Sequence, residues 1–79
     1  MKKLLEYIVK NIVANPDKVL IEEREENSQI NLNLDVDSED MGIIIGKSGR
    51  TIKAIRTLLK IKAIKEGKHV YLNLVEKST

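Results

Sequence analysis

The chain has 79 residues, of which 42% are hydrophobic and 33% charged, and its net charge at pH 7 is +2. This length allows one small domain and argues against a deep catalytic pocket. The chain contains no cysteine, which excludes disulfides and thiolate metal sites, and no apolar run approaches the roughly 20 residues of a membrane span.

The first predicted element is an amphipathic helix that ends before Asn15 and Pro16. Apolar residues recur in it at helical spacing: Leu4, Leu5, Ile8, Val9, Ile12 and Val13. The helix should end at the proline, which cannot continue the hydrogen-bond ladder and disfavours helical geometry in the residue before it. Polar residues interrupt the apolar run and no small-residue cleavage site follows, so a signal peptide is not predicted. We therefore expect a cytoplasmic protein.

Two strands are predicted next. The first covers residues 19–24 and is followed by a polar turn at residues 25–28. Beyond the turn, apolar side chains alternate with polar ones, at Ile30, Leu32, Leu34 and Val36. This period of two sends one face to a core and the other to solvent, which favours an antiparallel hairpin.

Short acidic and hydroxyl side chains precede the next apolar run, at Asp37, Ser38, Glu39 and Asp40. Such residues cap helix starts. The segment lacks the glycine and the closing glutamate of an EF-hand, so we assign these side chains to capping and to the solvated surface. A short helix over roughly residues 40–45 should follow.

The longest predicted helix, Arg50–Lys65, has two different faces. Projection at about 100° per residue gives an apolar face with Ile52, Ile55, Leu58, Leu59 and Ala63. The opposite face carries what we call the basic stripe, which starts in the preceding turn: Lys47, Arg50, Lys53, Arg56 and Lys60. Gly67 is predicted to end the helix, residues 69–75 to form a last strand, and residues 76–79 to be a frayed tail.

This element order predicts an α+β fold of two layers, in which three helices cover one face of a three-stranded sheet. Charge is divided along the chain, because residues 17–40 contain nine acids and two bases whereas residues 41–69 contain eight bases and one acid. The basic half should attract polyanions. A solvated surface with internal salt balance would also explain the charges.

Residues 46–49, with the sequence Gly-Lys-Ser-Gly, form a basic turn that we call the glycine loop. Its backbone amides, the following helix N-terminus, Lys47 and Arg50 should together hold phosphate oxygens, beside an aliphatic surface of Ile43, Ile44 and Ile45. A nucleotide-binding P-loop is excluded, since three residues separate Gly42 from Gly46 where that motif needs four. The alternative is an ordinary solvated turn.

The segment Ile45-Gly46-Lys47-Ser48-Gly49-Arg50 resembles the I-G-x-x-G signature of K-homology (KH) RNA-binding domains. In that family the loop clamps the backbone of about four single-stranded nucleotides. The element order is similar to the type II, bacterial KH fold. Asn15-Pro16-Asp17, Met41-Gly42 and Lys53-Ala54-Ile55-Arg56 further resemble the small bacterial single-domain KH proteins of the KhpA type, so the resemblance covers essentially the whole chain.

The resemblance implies one type II KH domain over residues 1–79 that binds single-stranded RNA, as a post-transcriptional regulator or RNA chaperone. The groove would be bounded by the Met41–Ile45 segment, the glycine loop, the next helix and the strand at residues 30–36. The expected RNA-binding residues are Ile43, Ile44, Ile45, Gly46, Lys47, Ser48, Gly49, Arg50, Lys53 and Arg56. His69 lacks a second histidine or a cysteine for a metal, and we predict no enzyme activity, cofactor, small-molecule substrate or membrane contact.

A protein-interaction module with weak or no RNA binding is the alternative function. Ile61 and Ile64, which we call the isoleucine pair, lie off the apolar face of the long helix, and exposed aliphatic patches often mark interfaces. They could instead pack against the last strand or the first helix. KhpA-type proteins are associated with homodimers and with a larger KH-containing partner of the KhpB type, so the resemblance implies self-association through the second half of this helix.

Overall fold

The computed structural model describes residues 1–75, and the tail expected at residues 76–79 lies outside them. The helices are α1 (Lys2–Lys10), α2 (Met41–Ile45) and α3 (Arg50–Lys65), and the strands are β1 (Leu20–Glu26), β2 (Gln29–Asp35) and β3 (His69–Leu74). Single 3-10 turns lie at Pro16–Lys18, Ser38–Asp40 and Lys47–Gly49. The predicted order of helices and strands is confirmed.

The three strands form one mixed sheet in the order β1-β2-β3. β1 and β2 are antiparallel, as the hairpin prediction required, and β2 and β3 are parallel. The hairpin turns at Asn27 and Ser28, which have φ angles of 50° and 65°. Two successive positive φ angles are typical of a type I′ turn, whose twist matches that of the flanking strands. β2 is therefore the central strand, and β3 has a free edge.

The helices cover one face of this sheet. α1 lies against β1 and α3, α3 lies against β3, and α2 lies against α3. The core between the layers is entirely aliphatic and contains Leu5, Val9, Val19, Ile30, Leu32, Leu34, Val36, Ile44, Ile52, Ile55, Leu59 and Leu72. The alternation of β2 is confirmed, because its apolar side chains are buried and its polar ones are not. The two-layer α+β architecture is thus the predicted one.

The first helix is shorter than predicted. It ends at Lys10 and not just before Asn15. Asn11 Nδ2 donates a hydrogen bond to Tyr7 O at 2.6 Å. Further on, the amides of Ala14 and Asn15 each donate to the Asp40 carboxylate at 3.0 Å. These amides thus donate to a side chain that is distant in sequence instead of to helical carbonyl groups, and the helix ends before the proline.

The expectation that Asp40 is a solvated capping residue is wrong. Its side chain is fully buried and accepts hydrogen bonds from two backbone amides and from Asn15 Nδ2 at 3.2 Å. The capping role belongs to Asp37, which accepts from the Glu39 amide at 3.2 Å. Asp37 also accepts a hydrogen bond from Lys18 at 3.1 Å, which raises the pKa of that lysine.

One residue that was predicted to lie on the apolar face of α3 is not buried. Leu58 is half exposed, whereas Ile52, Ile55, Leu59 and Ala63 are buried. Their spacing defines a narrow stripe along the helix, and Leu58 lies one residue, or about 100°, away from Leu59. Leu58 therefore belongs to the outer side of α3.

Candidate nucleic-acid interface

The glycine loop reverses the chain between α2 and α3. Gly46 has φ 75° and ψ 173°, and its amide closes α2 by donating to Gly42 O at 2.9 Å. Gly49 has φ 75° and ψ 16°, and its amide donates to Gly46 O at 3.2 Å. Both positions have the positive φ that favours glycine. Ser48, with φ 57° and ψ 27°, holds a similar conformation without being glycine.

Gly46 is required for a second reason, which is space. A Cβ at this position would lie 2.7 Å from Thr51 Cβ and 2.8 Å from the Thr51 amide nitrogen. A Cβ at Gly49 would meet nothing within 4 Å. Gly46 is therefore the point where the end of α2 approaches the first turn of α3, and it sets the angle between the two helices.

The basic stripe is exposed on the side of α3 that faces away from the core. Within residues 1–75, none of Lys47, Arg50, Lys53 and Lys60 forms an ion pair. Two basic residues near or beyond the end of α3 are paired, and the first is Lys62, which pairs with Glu66 at 3.6 Å. The Glu25 carboxylate, 2.8 Å from Lys68, raises the pKa of that lysine through a hydrogen bond. Lys47, Arg50 and Lys53 therefore leave uncompensated positive charge at the loop end of α3.

The three consecutive isoleucines do not share one surface. Ile43 and Ile45 are exposed, but Ile44 has no exposed surface and belongs to the core. The expectation that Ile44 lines an RNA surface is wrong, because successive residues of a helix are about 100° apart and cannot all face outward. Ile43 and Ile45 remain beside the loop.

The strand that packs against α3 is β3, whereas the resemblance assigned the strand at residues 30–36 to the groove. That strand is the central β2, whose inward side chains are buried. A depression of about 240 Å³ instead lies between α3 and the free edge of β3, and we call it the edge groove. Its lining includes Arg56, Leu59, Lys60, Leu72 and Asn73.

Arg56 crosses the edge groove. Its Nη2 donates a hydrogen bond to Leu72 O at 3.1 Å. The amides of His69 and Val75 donate toward β2, so the main-chain groups of the even-numbered β3 residues face the free edge. Helical periodicity places Arg56 in the basic stripe. It gives no signal for this bond, because it does not reveal which strand lies opposite.

The isoleucine pair lies on the outer side of α3. Ile61 is 60% exposed and Ile64 is 65% exposed, and the half-exposed Leu58 lies one turn before Ile61. The suggestion that the pair packs against the last strand or the first helix is therefore wrong. These side chains form an exposed aliphatic strip about a turn and a half long.

No three His, Asp or Glu side chains among residues 1–75 are grouped so that they could hold a metal ion. None of the helices there combines the length and the apolar character that crossing a membrane requires.

The profile of the KhpA/KhpB KH domain matches residues 2–74. The chain belongs to this family. A relative from Clostridium acetobutylicum, named RNA-binding protein KhpA, is 48% identical over 75 residues, which cover 95% of this chain and 100% of the relative. The RNA-binding protein KhpA of Chlamydia pneumoniae is 47% identical over 76 residues, which cover 96% and 97%.

Solved structures show the same fold within a larger protein. Era in complex with MgGDPNP and nucleotides 1506–1542 of 16S ribosomal RNA superimposes with a TM-score of 0.57 at 23% identity. The match covers 91% of this chain but 28% of the Era chain. Aquifex aeolicus Era gives the same TM-score at 22% identity. The type II KH expectation for the fold is confirmed. The matching family itself is one of KH domains and not an enzyme family.

Proposed function

We propose that this KhpA-family chain is a non-enzymatic protein that binds single-stranded RNA, with the glycine loop as the clamp on the RNA backbone. The observation that carries the proposal is the pair of positive-φ glycines at a loop whose basic residues are exposed and form no ion pair with any of residues 1–75. The names of the curated relatives support it, since both are RNA-binding proteins.

In this proposal, phosphates lie over the loop and the first turn of α3. Lys47 and Arg50 supply full charges, Ser48 supplies a hydroxyl, and the N-terminus of α3 adds partial positive charge. Gly46 and Gly49 permit the turn and allow the RNA backbone to approach closely. Binding of this kind depends on phosphate neutralisation, so the affinity should fall steeply with salt concentration.

The bases would lie between α3 and the edge of β3. Ile43 and Ile45 offer aliphatic contact beside the loop, and Lys53 and Arg56 continue the basic stripe along the edge groove. Contacts of this sort hold a strand without selecting its sequence strongly. They suit a cytoplasmic regulator or chaperone that acts on many RNAs.

The test is the double variant Lys47→Asp, Ser48→Asp. Aspartate tolerates the positive φ of Ser48 better than most residues do, and both side chains are exposed, so the fold should persist. Binding to labelled single-stranded RNA, measured by fluorescence anisotropy, should be lost. Lys3→Asp, Tyr7→Asp makes the same charge change on the exposed side of α1 and should bind as the wild type does. Retained affinity in the loop variant would show that the loop is not the site.

A second candidate function is self-association through the isoleucine pair. Two large aliphatic side chains that are more than half exposed, three positions apart on one helix, are the observation that favours it. The same surface could receive a larger KH-containing partner of the KhpB type, whose domain belongs to the same family.

Analytical ultracentrifugation tests this second candidate. The wild type should sediment as a dimer at micromolar concentration, and Ile61→Asp and Ile64→Asp should be monomeric. Leu20→Asp is the matched control, because Leu20 is an equally exposed aliphatic residue on β1. A monomeric wild type would refute self-association.

A further inference from the structure

The edge groove does not end at Arg56. A second depression of about 400 Å³, which we call the distal depression, lies farther along α3. Its lining includes Lys60, Ala63, Ile64, Lys68, His69 and Tyr71. Lys60, Val70 and Tyr71 line both depressions. The two are therefore adjacent, and we call them together the channel along α3 and the free edge of β3.

The channel lies beyond the glycine loop. At a rise of 1.5 Å per residue, Arg56 in the edge groove is about 9 Å from Arg50 along the axis of α3, and Ala63 in the distal depression is about 20 Å from it. Arg56 and Lys60 of the basic stripe line the channel, and Lys60 forms no ion pair within residues 1–75. Basic side chains thus lie along α3 between the loop and the distal depression.

Tyr71 is what distinguishes this end of the channel. The chain contains two tyrosines and no phenylalanine or tryptophan. Tyr71 is 50% exposed. Its neighbours Val70 and Leu72 are more buried, so Tyr71 lies at the rim where the channel meets the open face of the sheet. The other tyrosine, Tyr7, is on α1 and lines neither depression.

We propose that Tyr71 stacks on a nucleobase of the RNA strand held by the glycine loop, at a subsite beyond the four nucleotides that a KH loop clamps. The inference rests on the proposed function and deepens it. An aromatic side chain suits this position because every base has a π-face, so stacking adds affinity without demanding a sequence. The subsite makes the affinity depend on RNA length.

The first test measures affinity against length with single-stranded RNA pools of random sequence, 4, 8 and 12 nucleotides long. For each protein, the affinity for the 12-mer is divided by that for the 4-mer, so that losses common to both lengths cancel. Tyr71→Val keeps a strand-forming residue and should reduce this ratio about fivefold relative to the wild type. Tyr71→Phe keeps the ring and should preserve the ratio, as should Tyr7→Ala on α1.

The second test uses tyrosine fluorescence, which is readable because the chain has no tryptophan. In Tyr7→Phe, Tyr71 is the sole emitter. The 12-mer should quench its emission, and the 4-mer should quench it much less.

The outcomes separate the two proposals. An unchanged ratio in Tyr71→Val, or equal quenching by the 4-mer and the 12-mer, would overturn the distal subsite while leaving the loop clamp in place. A wild type that binds no RNA of any length would overturn both. Circular dichroism of each variant shows whether the sheet is intact, and Tyr71→Phe tests the ring even if Tyr71→Val folds poorly.

Discussion

Arg56 Nη2 and Leu72 O, 3.1 Å apart, join the middle of α3 to the free edge of β3. A sheet edge exposes unpaired main-chain groups that can pair with another chain. The guanidinium satisfies one carbonyl of this edge and holds the helix against the strand. Arg56 is thus both a member of the basic stripe and a structural contact between the two layers.

Replacing Arg56 should therefore lower the stability of the protein, whereas replacing Lys53, one turn earlier on α3, should not. We expect Arg56→Ala to reduce the free energy of unfolding by about 1 kcal/mol, the usual contribution of one hydrogen bond. Lys53→Ala removes an exposed charge of the same stripe and should change it by less than about 0.5 kcal/mol. Urea denaturation measures both. Equal effects would mean that the bond to Leu72 contributes nothing.

The two loop glycines should differ in their tolerance of alanine. Gly46 combines a backbone conformation that is essentially restricted to glycine with a Cβ clash against Thr51. Gly49 has only a left-handed conformation, which costs a non-glycine residue about 1–2 kcal/mol. Gly46→Ala should therefore lower the unfolding free energy by more than Gly49→Ala does. Thermal or urea unfolding of the two variants decides it, and the reverse order would contradict the geometry.

Asp40 should be among the residues most sensitive to truncation. Its buried carboxylate accepts from Ala14, Asn15 and the Asn15 side chain, and removing it leaves buried donors without an acceptor. We expect Asp40→Ala to destabilise the protein by roughly 2–4 kcal/mol. Glu39→Ala, an exposed neighbour, is the control and should be nearly neutral. A loss below about 1 kcal/mol for Asp40→Ala would show that water replaces the carboxylate.

The hairpin turn offers a stabilising substitution. Ser28 has a φ angle of 65° at the second central position of the turn, where a type I′ turn prefers glycine. Ser28→Gly should raise the unfolding free energy by roughly 0.5–1 kcal/mol. Ser48→Gly relieves a similar conformation in the glycine loop and should act in the same direction. A decrease in stability for both would show that these serine side chains make contacts worth more than the strain.

Local patterns in the sequence were sufficient to predict the elements and the position of the glycine loop. The alternation along β2 and the helical spacing in α1 and α3 follow from which side chains must leave water, a property that each segment carries by itself. The glycine loop was equally accessible, because two glycines around Lys47 and Ser48 specify a tight basic turn wherever it lies. The α+β order, the hairpin and the KH family all followed from these features.

Contacts between distant segments were decided only by the tertiary structure. That Ile44 is buried, that α3 packs against β3, and that Asp40 holds Asn15 all depend on how the layers pack. The bond from Arg56 to Leu72 and the approach of Gly46 to Thr51 likewise depend on the angle at which α3 lies. Periodicity indicates which face of an element is apolar. The element that packs against that face depends on how the whole core packs, and no single segment contains that information.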